Sequence, residues 1–235
     1  MKRSALMMAV AVCLLIFSGC GGTVDITPIR EAVANAPEQA HGSFTANIRF
    51  GDELATLLFS MGSFDADYEK NTLSAEMTRT VLASAAKVEL EYDGTTCTTI
   101  IDGEEHTGEM SPEALFDSLL YARPAVPDEG SKISASLSAD GLYTVKCKNP
   151  DSNALFSLLG DDIYSVAYIN VPRKDKMYCE DAVFTYRIKD GAISDYSLAF
   201  TVHLFDTPPY VPGKDVDESG YELELFVEFN VSYRY

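Results

Sequence analysis

YELELFVEFNVSYRY, residues 221–235, is the run that identifies the fold class. Hydrophobic side chains occupy every second position from Tyr221 to Tyr235, and polar side chains, with Phe226 as the exception, lie between them. A period of two places successive side chains on opposite faces of a β-strand. Fifteen strand residues extend roughly 50 Å, so the sequence predicts a strand that must curve with its sheet.

The same alternation recurs in shorter runs upstream of this strand. The predicted strands are residues 41–50, 57–61 with a continuation over 64–68, 73–77, 87–92, 95–101, 133–137, 142–148, 182–188 and 196–204. Aspartate-glycine pairs, which favour tight hairpin turns, separate several of these runs: Asp93-Gly94, Asp102-Gly103, Asp140-Gly141 and Asp190-Gly191. The spacing predicts an antiparallel meander.

Three short segments have helical signals. Thr27-Pro28 is typical of an N-cap followed by the first helical position, with an end before Ala36-Pro37. Ser111-Pro112 predicts a second helix that reaches Ala122. A third helix is predicted from Asp151 or Ser152 to Gly160. Together with the strands, these helices predict a mainly β, α+β domain.

The composition supports a folded domain with an acidic surface. The chain is 46% hydrophobic, enough to build a sizeable core, and its 13 Tyr and 12 Phe favour strands. Its net charge of −18 at pH 7 would repel the phosphates of nucleic acid, so no nucleic-acid partner is expected. Without Lys2 and Arg3 the charge would be about −20, most simply a solvated acidic exterior.

The first twenty residues predict export and a membrane anchor. Lys2 and Arg3 precede an uncharged apolar run, Ala5 to Phe17, which is typical of a secretory signal peptide. Phe17-Ser18-Gly19-Cys20 then resembles the lipobox of bacterial lipoproteins, with Phe17 where that family more often has leucine. The resemblance implies that Cys20 is diacylated and becomes the first mature residue; the alternative is a cysteine near an ordinary cleavage site. Two acyl chains anchor stably, so we expect an extracytoplasmic protein held at a membrane by Cys20.

The predicted organisation is a signal peptide over residues 1–19, a lipidated cysteine and short tether over 20–26, and one β-rich domain over 27–235. Its order of helices and strands resembles the lipoprotein-carrier fold of LolA, LppX and LprG. That resemblance implies a curved antiparallel sheet or open half-barrel with two or three short helices packed on its concave side. It also implies an apolar cavity that can hold acyl chains.

Residues on the apolar parity of the last three predicted strands are the candidates for lining that cavity. They are Phe184, Tyr186, Phe200, Leu225, Val227 and Phe229. The alternative interpretation is that these side chains simply form the core of a curved sheet.

The sequence carries no motif of a known catalytic centre, and neither a catalytic residue nor a cofactor is predicted. One stretch, with Asp215, Asp217 and Ser219 followed by Gly220, matches the first half of a calcium loop. The bidentate glutamate expected at the twelfth position of such a loop is Phe226. The alternative is an acidic turn that leads into the last strand, and no metal is assigned.

Three cysteines remain after Cys13 and Cys20: Cys97, Cys147 and Cys179. An odd number allows one disulfide and one thiol, but each lies in a β-patterned run, which favours buried free thiols.

Two functions fit these observations. The first is a membrane-anchored, non-enzymatic lipoprotein that binds a lipid or an acyl chain in the cavity of a curved sheet. The alternative is an envelope interaction or sensory lipoprotein that recognises a polypeptide or a cell-wall partner.

Overall fold

The computed structural model describes residues 24–50, 56–81, 84–119, 121–127, 132–148, 150, 177–206 and 221–235. These residues form two helices and eleven strands. They are α1 (Thr27–Ala34), β1 (Gln39–Phe50), β2 (Thr56–Asp67), β3 (Thr72–Val81), β4 (Ser84–Tyr92), β5 (Thr96–Ile101), β6 (Glu104–Glu109), α2 (Pro112–Ser118), β7 (Lys132–Leu137), β8 (Leu142–Lys148), β9 (Met177–Lys189), β10 (Ala192–Asp206) and β11 (Tyr221–Arg234).

All eleven strands belong to one antiparallel sheet in the order β6-β5-β4-β3-β2-β1-β11-β10-β9-β8-β7. Two meanders, β1 to β6 and β7 to β11, are therefore joined where the first strand pairs with the last, with Phe44 opposite Val231. Within the described part of the chain, β6 and β7 remain unpaired edges, so the sheet is open. The prediction of a mainly β, antiparallel domain is confirmed.

The alternating pattern separates the sheet into two faces, here called the apolar face and the polar face. The pairs Phe44–Val231 and Ile48–Val227 lie on the apolar face, and all four side chains are buried. Thr45 and Asn230 form a pair on the polar face. Because apolar side chains recur at every second position along β11 and over Phe44, Ala46, Ile48 and Phe50 of β1, one register buries both sets together.

The predicted hairpin turns form with the backbone geometry that their residues favour. Asp102 and Gly103 have φ of 49° and 92°, and Asp190 and Gly191 have φ of 53° and 85°. Two successive positive φ values define the two-residue turn that matches strand twist.

Helix α1 packs against β9 and β10 and buries Ile29 and Ala32. Its N-cap is Ile26, not the predicted Thr27, because the Asp25 carboxylate accepts the Thr27 amide and hydroxyl hydrogens at 2.9 and 2.7 Å. Ile26, which the sequence placed in the tether, is buried in the hydrophobic core.

Helix α2 begins as predicted, with the Ser111 hydroxyl accepting the Ala114 amide hydrogen at 3.2 Å. It ends at Ser118 rather than Ala122, because Leu119 has an extended backbone. The predicted helix over residues 151–160 lies outside the described residues.

Gly42 is required by close packing on the apolar face. A Cβ atom there would lie 2.4 Å from Phe64 Cε1 and 2.8 Å from the Ser232 carbonyl oxygen. We expect Gly42→Ala to lower the free energy of unfolding by about 1–3 kcal/mol, since ring and backbone must shift. In the matched control Gly108→Ala, the added Cβ meets nothing within 4 Å, so denaturant unfolding should show almost no change. Equal effects of the two substitutions would contradict this account of Gly42.

Candidate functional site

Small side chains on the apolar face of β1, β2 and β3 leave room for a second layer. Ala40, Ala66 and Ala75 are buried there, and the ring of Phe64 covers the space beside Gly42. The chain that enters this space is the connection between β6 and β7, described over residues 110–119 and 121–127 and here called the crossover segment.

The crossover segment is attached to the sheet by tyrosine hydroxyls. Tyr92 of β4 donates to the Met110 carbonyl oxygen at 2.9 Å, and Tyr186 of β9 donates to the Ala125 carbonyl oxygen at 2.6 Å. Between these two points, the Tyr68 hydroxyl donates to the carbonyl oxygen of Ala122. The segment therefore crosses the apolar face from β4 to β9.

Aromatic side chains of the crossover segment pack on the sheet. Tyr121 stacks on Phe44, with ring centroids 4.1 Å apart, and Phe116 meets the ring of Tyr68 edge-on at 5.4 Å. The Arg123 guanidinium lies 5.1 Å from the Tyr68 ring and 5.0 Å from the Phe116 ring. Stacking, buried area and cation–π attraction therefore supplement the hydrogen bonds.

Three buried phenol hydroxyls within this layer lack a hydrogen-bond partner: those of Tyr121, Tyr196 and Tyr233. The Tyr196 hydroxyl oxygen lies beside the backbone amide of Ala125, a donor that partly offsets the rise in its pKa, and the hydroxyl has no acceptor of its own. Burial raises the pKa of all three phenols above the usual value, so each remains a neutral donor. An unpaired buried hydroxyl costs about 1–3 kcal/mol, which makes the three phenols unusual.

The six cavity candidates lie on the apolar face, as their parity predicts. Tyr186 is the most deeply buried, and its hydroxyl anchors the crossover segment. Phe229 is half-buried and packs against the core. The other four are buried within the hydrophobic core: Phe184, Phe200, Leu225 and Val227. All six candidates therefore pack against other side chains of the hydrophobic core.

The sequence did not single out the phenols of Tyr121 and Tyr196 or the role of the crossover segment. Tyr121 lies in the last turn of a predicted helix, and helical periodicity gives no information about its partner in β1. A usable signal was the number of tyrosines on apolar positions, since phenylalanine would fill the same space without a hydroxyl that needs a partner.

The polar face carries a separate concave surface of about 720 Å³, here called the polar groove. Seven consecutive strands, from β9 to β4, contribute to it. In register across them lie Thr185, Ser197, Asn230, Thr45, Met61, Thr78 and Lys87. Six inter-strand spacings make the groove roughly 29 Å long.

Hydroxyl and amide groups line the polar groove together with Met61, Lys87 and Asp195, and some of these groups are already paired. The Thr185 and Ser197 hydroxyls lie 2.5 Å apart, and Ser232 donates to an Asp195 carboxylate oxygen at 3.0 Å. The Asn230 amide donates to a Glu228 carboxylate oxygen at 3.3 Å. Such a surface can exchange hydrogen bonds with an uncharged polar polymer.

The three described cysteines, Cys97, Cys147 and Cys179, form no disulfide. Cys147 and Cys179 are buried, as predicted, whereas Cys97 is half-buried. Burial raises the pKa of the Cys97 thiol, which disfavours its thiolate.

The histidines of the described residues lie in unrelated places. His41 interacts with the Asp65 carboxylate on the exposed polar face. His203 is buried, stacks on Tyr178 with centroids 4.5 Å apart and lies 3.7 Å from a Glu224 carboxylate oxygen.

Cys20 and the weak calcium candidates Asp215, Asp217 and Ser219 lie outside the described residues. Among the residues described, no cluster of three or more His, Cys, Asp or Glu side chains is arranged to hold a metal ion. The helices in the same part of the chain are too short or too polar to span a membrane. No protein-family model matches the chain, and no curated protein is significantly similar to it.

Proposed function

We propose that this chain is a non-enzymatic lipoprotein of the bacterial envelope, anchored through Cys20, that holds an acyl lipid against the apolar face of its sheet. The observation that carries the proposal is the set of unpaired phenol hydroxyls in a layer that is otherwise hydrophobic. An amphiphile with hydrogen-bond acceptors beside its acyl chains is the ligand that complements such a layer.

The crossover segment is the part of this layer that would move to admit the lipid. Three phenol-to-carbonyl hydrogen bonds hold it, at Met110, Ala122 and Ala125, rather than a ladder of strand pairing. Lifting it breaks fewer backbone hydrogen bonds than opening the sheet would. Local opening with a modest free-energy cost is the usual property of ligand-admitting segments.

The anchor is tested by Cys20→Ala. We expect the variant to lose its acyl modification and to leave the membrane fraction, because without the two chains no stable membrane contact remains. Cys13→Ala is the matched control, since it removes the other cysteine of the same stretch and should leave the acylated protein in the membrane. Fractionation of cells combined with intact-protein mass spectrometry provides the measurement. Unacylated Cys20→Ala protein that stayed with the membrane would refute the anchor.

Lipid binding itself is tested by offering the purified full chain a fluorescent acyl lipid in nonionic detergent. We expect saturable binding that an unlabelled lipid displaces. Partition into empty micelles alone, with no protein-dependent signal, would remove the support for this function.

A second function, recognition of a cell-wall partner, is favoured by the polar groove. Its hydroxyl and amide groups, spaced by about 4.8 Å per strand on either side of Met61, can exchange hydrogen bonds with the hydroxyl groups of an extended glycan. Crosslinking in intact cells distinguishes the two functions. Adducts to cell-wall glycan through the groove, from protein that carries no lipid besides the covalent acyl group on Cys20, would favour this second function.

A further inference from the structure

Tyr121 and Tyr233 both pack against one phenylalanine ring, that of Phe64. The Phe64 centroid is 5.5 Å from that of Tyr121 and 5.8 Å from that of Tyr233. Tyr121 is 7% exposed and Tyr233 is 5% exposed, and neither hydroxyl has a hydrogen-bond partner. Phenylalanine at either position would supply the same ring without a buried donor, so the hydroxyls call for an explanation.

The surroundings of the two hydroxyls favour an uncharged acceptor. The titratable groups that act on Tyr233 are Tyr68, Tyr196 and Tyr235, and the group that acts on Tyr121 is Cys97. These groups are phenols and a thiol, not cations. A phosphate or carboxylate buried beside them would have no compensating charge, which is very costly in an apolar layer.

The Arg123 guanidinium of the crossover segment does not supply the positive charge that a buried phosphate or carboxylate would need. Arg123 is exposed, and its guanidinium lies over the outer pair of rings, Tyr68 and Phe116. It can approach a charged group at the surface of the layer but not one beside Phe64.

We propose that Tyr121 and Tyr233 form a subsite that donates hydrogen bonds to the uncharged ester carbonyl oxygens of an acyl lipid. This inference rests on the proposed lipid-binding function and names the ligand class for it. The acyl chains lie along the apolar face, the ester region lies beside Phe64, and any charged headgroup remains outside the crossover segment. Tyr196, near Ala125, offers a further donor.

The test compares lipids that differ either in their carbonyl groups or in the charge of the headgroup. The full chain in nonionic detergent is offered equal amounts of dioleoylglycerol, its diether analogue and dioleoylphosphatidic acid, and the bound species are counted by native mass spectrometry. Two neutral hydrogen bonds predict about a tenfold preference for the diester over the diether. Dioleoylphosphatidic acid should bind no better than dioleoylglycerol.

Replacing the two phenols tests whether they cause the preference for the diester over the diether. In the double variant Tyr121→Phe with Tyr233→Phe, the diester-to-diether ratio should fall close to one, while diether binding stays the same. Tyr143→Phe, a phenol on the apolar face near the β7 edge, is the control and should keep the wild-type ratio.

A wild-type ratio near one, or a double variant that keeps the preference, would overturn the subsite and leave lipid binding standing. Absence of all three lipids from the wild-type protein would instead refute the proposed function. The wild-type ratio needs no substitution, so the inference stays testable even if the double variant fails to fold.

Discussion

Above pH 10 the protein is expected to lose stability steeply and to unfold cooperatively. Burial raises the pKa of Tyr121, Tyr186, Tyr196 and Tyr233 well above 10, the value of a solvated phenol. As the pH rises past 10, the unfolded chain releases these protons and the folded chain retains them. The unfolded state then binds fewer protons, so stability falls, whereas below pH 10 the contribution is fully present.

The expected size of this effect is large. Each phenol that ionises only in the unfolded state lowers the free energy of unfolding by about 1.4 kcal/mol per pH unit, so four lower it by roughly 5–6 kcal/mol per unit. A typical domain has a total stability of about 5–15 kcal/mol. The transition should therefore fall within two or three pH units above 10.

The measurement is a titration of tyrosinate absorbance alongside circular dichroism. The buried tyrosines should ionise together, at a pH above that of a solvated phenol and along with the loss of β signal. Protein unfolded in guanidinium is the control, since all of its tyrosines should titrate near pH 10. If the native protein titrated as smoothly as that control and kept its β signal, these phenols would not be buried in the folded state.

Phe116→Ala is expected to release the crossover segment from the sheet. Phe116 is 2% exposed and packs against Tyr68, and the Arg123 guanidinium lies on the same two rings. Removing a buried phenylalanine ring costs about 3–5 kcal/mol, which is enough to populate the detached segment before the sheet unfolds.

Hydrogen exchange read by mass spectrometry checks this expectation. Peptides from the crossover segment should lose protection, while peptides from β1, β10 and β11 should keep it. Met61→Ala is the control, because that side chain is 53% exposed on the polar face and its loss should change stability by less than about 0.5 kcal/mol. Retained protection in the crossover segment of Phe116→Ala would mean that other contacts hold the segment in place.

Strands with strict alternation were predictable because each buries one face. The long strand at 221–235 and the runs around Phe44 and Phe184 were placed correctly, since a shift of one residue would expose every apolar side chain. Strand β6 was missed. Its six residues are all exposed and include Glu104, Glu105 and Glu109, so no apolar pattern marks it. Pairing with β5 through the Asp102-Gly103 turn forms this charged edge, which discourages pairing with other chains.

The pairing of β1 with β11 could not be predicted from local patterns. Their residues are far apart in the sequence. Alternation predicts which face of each strand is buried, but it does not predict which strand pairs with it. The end of α2 was misplaced for a related reason, because the helix gives way to an extended backbone at Leu119 so that Tyr121 can stack on Phe44. Long-range packing overrode the local helical pattern.

The candidate site was only partly predictable. Parity placed Phe184, Tyr186 and Leu225 on the apolar face correctly, but it could not show that the crossover segment would cover that face. Nor could it indicate which phenols would lack partners, since that depends on the distance between a hydroxyl and backbone carbonyls of another element. The polar groove likewise depends on register across seven strands.

Native mass spectrometry of the full chain, purified from its own host envelope without added lipid, tests the lipid-holding function most directly. We expect a non-covalently bound acyl ester in addition to the covalent acyl group on Cys20, and loss of that ester from Phe116→Ala. Protein that carries no second lipid, and that takes up none when dioleoylglycerol is offered, would contradict that expectation.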